Sequence, residues 1–191
     1  MAFMTREDFE ARYRQDRDPW QYTSSRYEHD KYRATLAACL EGTSGPVAAA
    51  LELGSSIGVF SALLAPHCRT LVTVDASPTA VADARHRLRG RAVETIVGAI
   101  PQDVPRRPYE LVVASEILYY LTPAELDDTL ELLRDCTAPG ARLVAVHWRP
   151  PGPERPFDAA AVHNRLRAAP WLAVMRTGGT AEYLLDVLER R

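Results

Sequence analysis

Ala49-Ala50-Leu51-Glu52-Leu53-Gly54-Ser55-Ser56-Ile57-Gly58-Val59 decides the fold. The apolar run stops at Glu52-Leu53-Gly54 and the pattern restarts as a helix after Gly58, so a strand enters a helix through a glycine-containing turn. Gly54 and Gly58 let the backbone turn tightly and lie against a ligand, with Ser55 between them. Ser56 stands where many such loops carry a middle glycine. The next apolar run ends at Asp75, twenty-one positions after Gly54. A carboxylate there is placed to accept hydrogen bonds from both ribose hydroxyls of a nucleoside; its structural alternative is a cap shared with Ser77. Glu52 either reaches a ligand amino group or supports the loop through backbone N–H groups.

Outward from this turn, apolar runs at 48–53, 70–75, 93–98, 109–115 and 142–148 alternate with helical patterns, the signature of βαβ units and a parallel sheet. Leu111-Val112-Val113-Ala114 and Leu143-Val144-Ala145-Val146 lack polar alternation, as strands covered on both faces do. Thr122-Pro123-Ala124-Glu125 opens a helix with an N-cap hydroxyl, a proline at N1 and a glutamate at N3, and it ends before Pro139-Gly140. Ser77-Pro78 opens another, closed by Gly90. A helix is expected over 24–41 and one over 157–168. Strand 171–176, turn 177–180 and strand 183–188 predict an antiparallel hairpin at the sheet's end. The expectation is one α/β domain of Rossmann-like, three-layer type, with residues 1–45 as an N-terminal helical lid and 46–191 as the core.

The formal charge of -2, from 23 basic and 25 acidic residues, gives no global field toward nucleic acid or an anionic membrane, and neither is expected as a partner. Lys31 is the only lysine among those basic residues, an arginine richness that codon bias explains better than phosphate recognition. Cys39, Cys68 and Cys136 are widely spaced and read as reduced thiols, and no His, Cys or carboxylate spacing suggests a metal. The stretch from Met1 to Asp18 is charged and lacks an apolar core, so a cytoplasmic location is expected.

In an open parallel sheet, ligands bind beyond the carboxyl ends of the strands. Those ends carry Gly54 to Gly58, Asp75-Ala76, Gly98-Ala99-Ile100, Ser115 to Tyr120, and His147-Trp148-Arg149. In a nucleoside site Ala99 and Ile100 face the base. An acid after the glycine often takes the exocyclic amine there; Ala99 cannot, and Asp103 is the alternative.

Glu52-Leu53-Gly54 with Gly58, Val74-Asp75, Tyr109 to Val113 and Pro139-Gly140 resemble class I S-adenosylmethionine-dependent methyltransferases. Asp18-Pro19-Trp20, Ser25-Arg26-Tyr27-Glu28, Ser115 to Leu121 and His147-Trp148-Arg149 resemble the nodulation protein S (NodS)-like branch. The resemblance implies a seven-stranded sheet of order 3-2-1-4-5-7-6 with its last strand antiparallel. It implies S-adenosylmethionine as cofactor and a small-molecule acceptor, an amine such as that of an amino sugar or a hydroxyl of a secondary metabolite. Trp20 would then fold over the cofactor and Arg26 or Arg33 meet the methionine carboxylate, against the alternative of a packed helix with solvated arginines. Ser115 ends the fourth strand beside the cofactor. Glu116 and His147 are the candidates to orient or deprotonate the acceptor, with Tyr119 turned to the sulfonium; core packing for Tyr119 and a structural hydrogen bond for His147 are the alternatives. A nicotinamide oxidoreductase shares the loop and acid but not the hairpin. A cofactor-binding scaffold or partner subunit without methyl transfer is the reading that Ser56 and Ala99 favour.

Overall fold

The computed structural model describes residues 3–191. Its strands are β1 Val47–Leu53, β2 Cys68–Asp75, β3 Val93–Val97, β4 Tyr109–Ser115, β5 Thr137–Trp148, β6 Leu172–Gly179 and β7 Tyr183–Arg190. They form one seven-stranded sheet in the order β3-β2-β1-β4-β5-β7-β6. The first five pair in parallel, and β7 runs antiparallel to both β5 and β6. The order reverses between β1 and β4, so the crevice of this sheet opens beyond their carboxyl ends.

Both faces of the central strands are covered, which is why they read as unbroken apolar runs. Val112 and Ala114 belong with Leu143 and Ala145 to a core closed by α5 (Pro123–Cys136) and α6 (Ala159–Ala168). Leu111 and Val113 belong with Val144 and Val146 to a second core, closed by α2 (Arg26–Leu40) and α3 (Val59–Leu64). Helix starts follow the capping chemistry of the sequence. The Ser77 side chain accepts from Ala80 N ahead of α4 (Pro78–Arg87), and Thr122 and Glu125 form a reciprocal capping box ahead of α5.

Three elements depart from expectation. A helix, α1 (Arg6–Gln15), precedes α2; its one buried residue is Tyr13, so no apolar stripe announces it, and a capping box between Thr5 and Asp8 starts it. Strand β5 begins at Thr137, because a register shift between Tyr109 and Leu111 of β4 accommodates Pro139-Gly140 within the strand. The hairpin turns later than 177–180: Thr177, Gly178 and Gly179 still pair with β7, and Thr180 N closes onto Tyr183 O at 2.9 Å. Gly179, at φ 115°, would place a Cβ 2.1 Å from Tyr183 O, so this position requires glycine.

Among the described residues, no helix is long and apolar enough to cross a membrane.

Candidate active site

The β1–α3 turn alternates left-handed residues: Gly54, Ser56 and Gly58 have φ of 72°, 51° and 75°. Gly54 N and Ser55 N both donate to Val74 O, at 2.8 and 3.3 Å, tying the turn to β2. A Cβ on Gly54 would stand 2.9 Å from the Ile117 side chain, so glycine lets this loop meet the segment after β4. Ser56 adopts a left-handed conformation that favours glycine. Its strain is offset by its N–H donating to Asp75 Oδ2 at 2.7 Å and by a hydrogen bond between its hydroxyl and that of Tyr13. Asp75 Oδ1 accepts from Ser77 N at 2.9 Å. Asp75 thus braces both turns while lining the crevice, and each of its oxygens keeps a further acceptor position.

Glu52 does not take the loop's backbone N–H groups; it accepts from Ser61 Oγ on α3 at 2.6 Å. Burial pushes its carboxyl up to about 8, against the Ser61 hydrogen bond and with help from Asp75. Burial also raises Asp75, opposed by the Ser77 and Ser56 N–H groups. Ser55 Oγ is buried in the same wall with no hydrogen-bond partner among the described residues.

Above these acids the N-terminal segment closes a cavity of about 800 Å³. Glu10 of α1 accepts from Ser77 Oγ at 2.7 Å, Thr79 N at 3.1 Å and Thr79 Oγ1 at 2.8 Å, and Arg17 forks onto Asp83 of α4. Although burial acts to raise it, these hydrogen bonds hold the Glu10 carboxyl at about 2. Trp20 reaches the cavity, packed by Phe9, Tyr13 and Tyr22. Arg26 and Arg33 do not reach it. Their side chains are 95% and 75% exposed and pair with Asp30 on the outer face of α2.

The cation that α2 does carry inward is Lys31, 2% exposed. Its Nζ donates to Glu116 Oε1 at 2.7 Å and to Glu28 Oε1 at 3.0 Å, and lies 5.2 Å from the Tyr27 ring centre. Burial acts to lower the ammonium and the two carboxylates more than reverse it, so Lys31 is held protonated. Glu116 has φ 58°, uncommon for a residue with a side chain. Its Oε2 accepts from the Tyr119 hydroxyl and, at 2.9 Å, from Trp148 N. Lys31, Glu116 and Tyr119 all line the cavity.

His147 is not among the lining residues. Its side chain leaves β5 on the face of Leu143 and Ala145, toward α6, where it is fully buried. Leu118 N donates to Nε2 at 3.2 Å, so the proton sits on Nδ1 and is given to His163 Nε2 at 3.1 Å. His163 Nδ1 in turn meets Asp186 Oδ2 at 2.8 Å, and Arg167 forks onto the same carboxylate at 2.7 and 2.8 Å. Burial first, then His163, hold the His147 imidazole well below its ordinary value. Both ring nitrogens are engaged, the structural alternative that the sequence allowed.

Beyond β3, Ala99 and Ile100 line the cavity with Ala76 and Ser115. Asp103 turns back beneath its own loop: its Oδ2 accepts from Ala99 N at 2.7 Å, and a Cβ on Gly98 would stand 2.4 Å from Asp103 Cβ. It braces the loop and does not line the cavity. Gly58 packs on α4, where a Cβ would meet Ala84 at 3.0 Å.

A family model described as Nodulation protein S (NodS) matches residues 5–145. The chain belongs to the NodS family. It is 34% identical over 129 residues to nodulation protein S of Rhizobium tropici, covering 66% of this chain and 53% of that protein. With the Sinorhizobium fredii protein the identity is 31%, covering 66% and 59%. The chain thus spans just over half the length of the curated NodS relatives it matches. Its fold is similar to that of N-methyltransferase NodS from Bradyrhizobium japonicum in complex with S-adenosyl-L-homocysteine, at TM-score 0.79, 24% identity and coverage of 96% of this chain and 97% of that one. Within the NodS-matched region, Lys31, Glu10 and Tyr13 are among the residues in or beside the cavity wall that the sequence does not single out as site residues. Lys31 was marked as the sole lysine, and Glu10 and Tyr13 only by the Thr5-to-Asp8 capping box. Arg155 lies past residue 145, in the Pro- and Gly-rich loop over 149–157 that, with the N-terminal segment, is the expected place of acceptor selection; no pattern within that loop singles out the arginine.

Proposed function

We propose that the chain is an S-adenosylmethionine-dependent methyltransferase that methylates a small-molecule amine. The observation that carries this reading is the pairing of the left-handed Gly54–Gly58 turn with the half-buried Asp75 and the buried Glu52 in one cavity wall. Two carboxyl groups in the cavity wall with no cationic partner among the described residues suit a ligand that brings hydroxyls and positive charge, and the unpartnered Ser55 hydroxyl suits a polar one. Asp75 would hold the ribose, Glu52, Gly54 and Ser55 the amino-acid end, Ala99 and Ile100 the base, with Trp20 and Tyr13 over them. The family relationship supports the same cofactor, since the similar solved NodS is an N-methyltransferase seen with S-adenosyl-L-homocysteine.

When bound, the cofactor supplies a methyl group on a sulfonium already activated for displacement. What remains for the protein is alignment and exclusion of water. The lid of α1 and Trp20 excludes water. Glu116, fixed by donors from Lys31, Tyr119 and Trp148 N, accepts an N–H of the amine, orients its lone pair and faces the positive charge that develops on nitrogen. An amine needs no base in the transition state, and no free imidazole lines the cavity among the described residues.

Calorimetric titration with S-adenosylhomocysteine and with NAD tests the first half. Micromolar binding of the former, none of the latter and a large loss in Asp75→Ala are expected; no heat with S-adenosylhomocysteine refutes the reading. Labelled methyl should then appear on members of an amine panel, slowed in Glu116→Gln with cofactor affinity nearly unchanged. Binding with no transfer to any amine or alcohol favours the scaffold.

A further inference from the structure

The loop after β5 also contributes to the cavity wall, through Glu154, Pro156 and Arg155, whose side chain is 1% exposed. The guanidinium lies 4.4 Å from the Tyr119 ring centre and 5.5 Å from that of Trp148. Nη2 donates to Pro150 O. Nε is buried with no hydrogen-bond partner among the described residues; the Glu154 carboxylate, itself 37% exposed, forms a long ion pair with it at 3.7 Å, beyond hydrogen-bond reach. The loop is shaped around this group: a Cβ on Gly152 would lie 2.7 Å from both Nε and Nη2. A buried guanidinium is costly unless its donors are taken and its charge is matched; the aromatic faces and the long ion pair to half-exposed Glu154 match part of the charge and leave Nε without an acceptor. Glu116 is not its partner, being engaged by Lys31, Tyr119 and Trp148 N. The planar fork of donors suits a carboxylate or a phosphate.

We infer that Arg155 determines acceptor specificity by binding an anionic oxygen group, carboxylate or phosphate, on the molecule whose amine meets Glu116. This rests on the methyltransferase reading. Tyr119 carries the guanidinium over its ring and Glu116 at its hydroxyl, so the two charges are one tyrosine ring apart. The acceptor is therefore compact and bears both an amine and an anion, as an amino acid or an amino-sugar phosphate does.

The test uses the full chain saturated with S-adenosylhomocysteine, at constant ionic strength. The probes are acetate, inorganic phosphate and two matched pairs, phenylalanine against phenethylamine and glucosamine 6-phosphate against glucosamine. Binding is read by thermal shift and calorimetry. At least one anionic pair member should bind about tenfold more tightly than its neutral counterpart, and the pair that discriminates tells carboxylate from phosphate. Arg155→Met should abolish the preference with S-adenosylhomocysteine affinity within about twofold, and Arg155→Lys, which keeps the charge without the fork, should retain part of it. Equal binding within both pairs, no binding of any anionic probe by the unaltered protein, or a preference that survives Arg155→Met overturns the inference. If Arg155→Met does not fold, the matched pairs on the unaltered protein decide it. Failure of S-adenosylhomocysteine to bind the unaltered protein counts instead against the methyltransferase reading.

Discussion

Lys31 and Glu116 place opposite charges in a wall where each is shielded from water, at 2% and 15% side-chain exposure. Removing one partner of such a pair costs more than the pair contributes, because the survivor is left buried and uncompensated. Lys31→Met should therefore lower unfolding free energy by about 3–5 kcal/mol, leaving both Glu116 and Glu28 without their cation. Adding Glu116→Gln should recover part of that loss, with a coupling of about 1–3 kcal/mol in a urea-unfolding double-mutant cycle. Additivity within about 0.5 kcal/mol means the contact carries no energy. Of this pair, Glu116 is legible in the sequence as a carboxylate at the strand edge, and Lys31 is not. Asp75 and the glycine turn were legible because backbone geometry dictates them. Lys31 was visible only as an odd lysine in an arginine-rich chain. Arg26 and Arg33 do not point inward as the resemblance implies, because seven-residue spacing puts both on one side of α2, roughly opposite Lys31. The position of His147 at a strand end points to the active edge, but strand alternation with Leu143 and Ala145 turns its side chain toward α6.

At the scale of elements, α1 is a clasp. Its Glu10 reaches the first turn of α4 and accepts from Ser77 and Thr79, so α1, the proposed lid, is tied to the helix that follows Asp75. Glu10→Ala removes these bonds while the α1 capping box stays intact, and the global cost should be about 1–2 kcal/mol. The local effect should be larger: proteolysis within residues 6–20 should accelerate, and S-adenosylhomocysteine should dissociate about tenfold faster in stopped-flow measurements. An unchanged dissociation rate disposes of the lid assignment. The same helix shows why the fold was only partly legible. The central strands and α5 declared themselves through apolar runs and caps, and the tail through its Gly-Gly hairpin. A helix held by polar latches leaves no periodicity to read, and the β4–β5 register shift that takes Pro139-Gly140 into a strand depends on a partner far along the chain.

For the whole molecule, the buried acids and the buried imidazole impose opposite slopes of stability on pH. Glu52 has an ordinary carboxyl value of 4.5 when unfolded and about 8 when folded, burial being the main cause. Between those values the folded protein holds a proton that the unfolded chain has released, so raising pH through this window favours unfolding. The contribution is fully present below 4.5, is lost progressively up to about 8, and is flat above. Asp75, also raised by burial, adds in the same direction. His147 acts the other way. Its folded value is depressed below 6.5, so its contribution is complete above 6.5 and is lost as pH falls below that. Glu10, held at about 2, joins it at lower pH, its contribution present above 4.5 and lost on descent. Glu52→Gln isolates the alkaline arm, since it keeps the shape and an acceptor for Ser61 but cannot ionise. Measured by urea midpoint from about pH 5 to about pH 9, the variant should gain on the parent steadily until about 8 and then run parallel to it. Parallel curves across the whole range mean that Glu52 is not the group titrating there. If the carboxylate form is what meets the ligand's positive charge, S-adenosylhomocysteine, which lacks the sulfonium but keeps the ammonium, should bind the parent more tightly as pH rises through the same window and bind Glu52→Gln with no such trend.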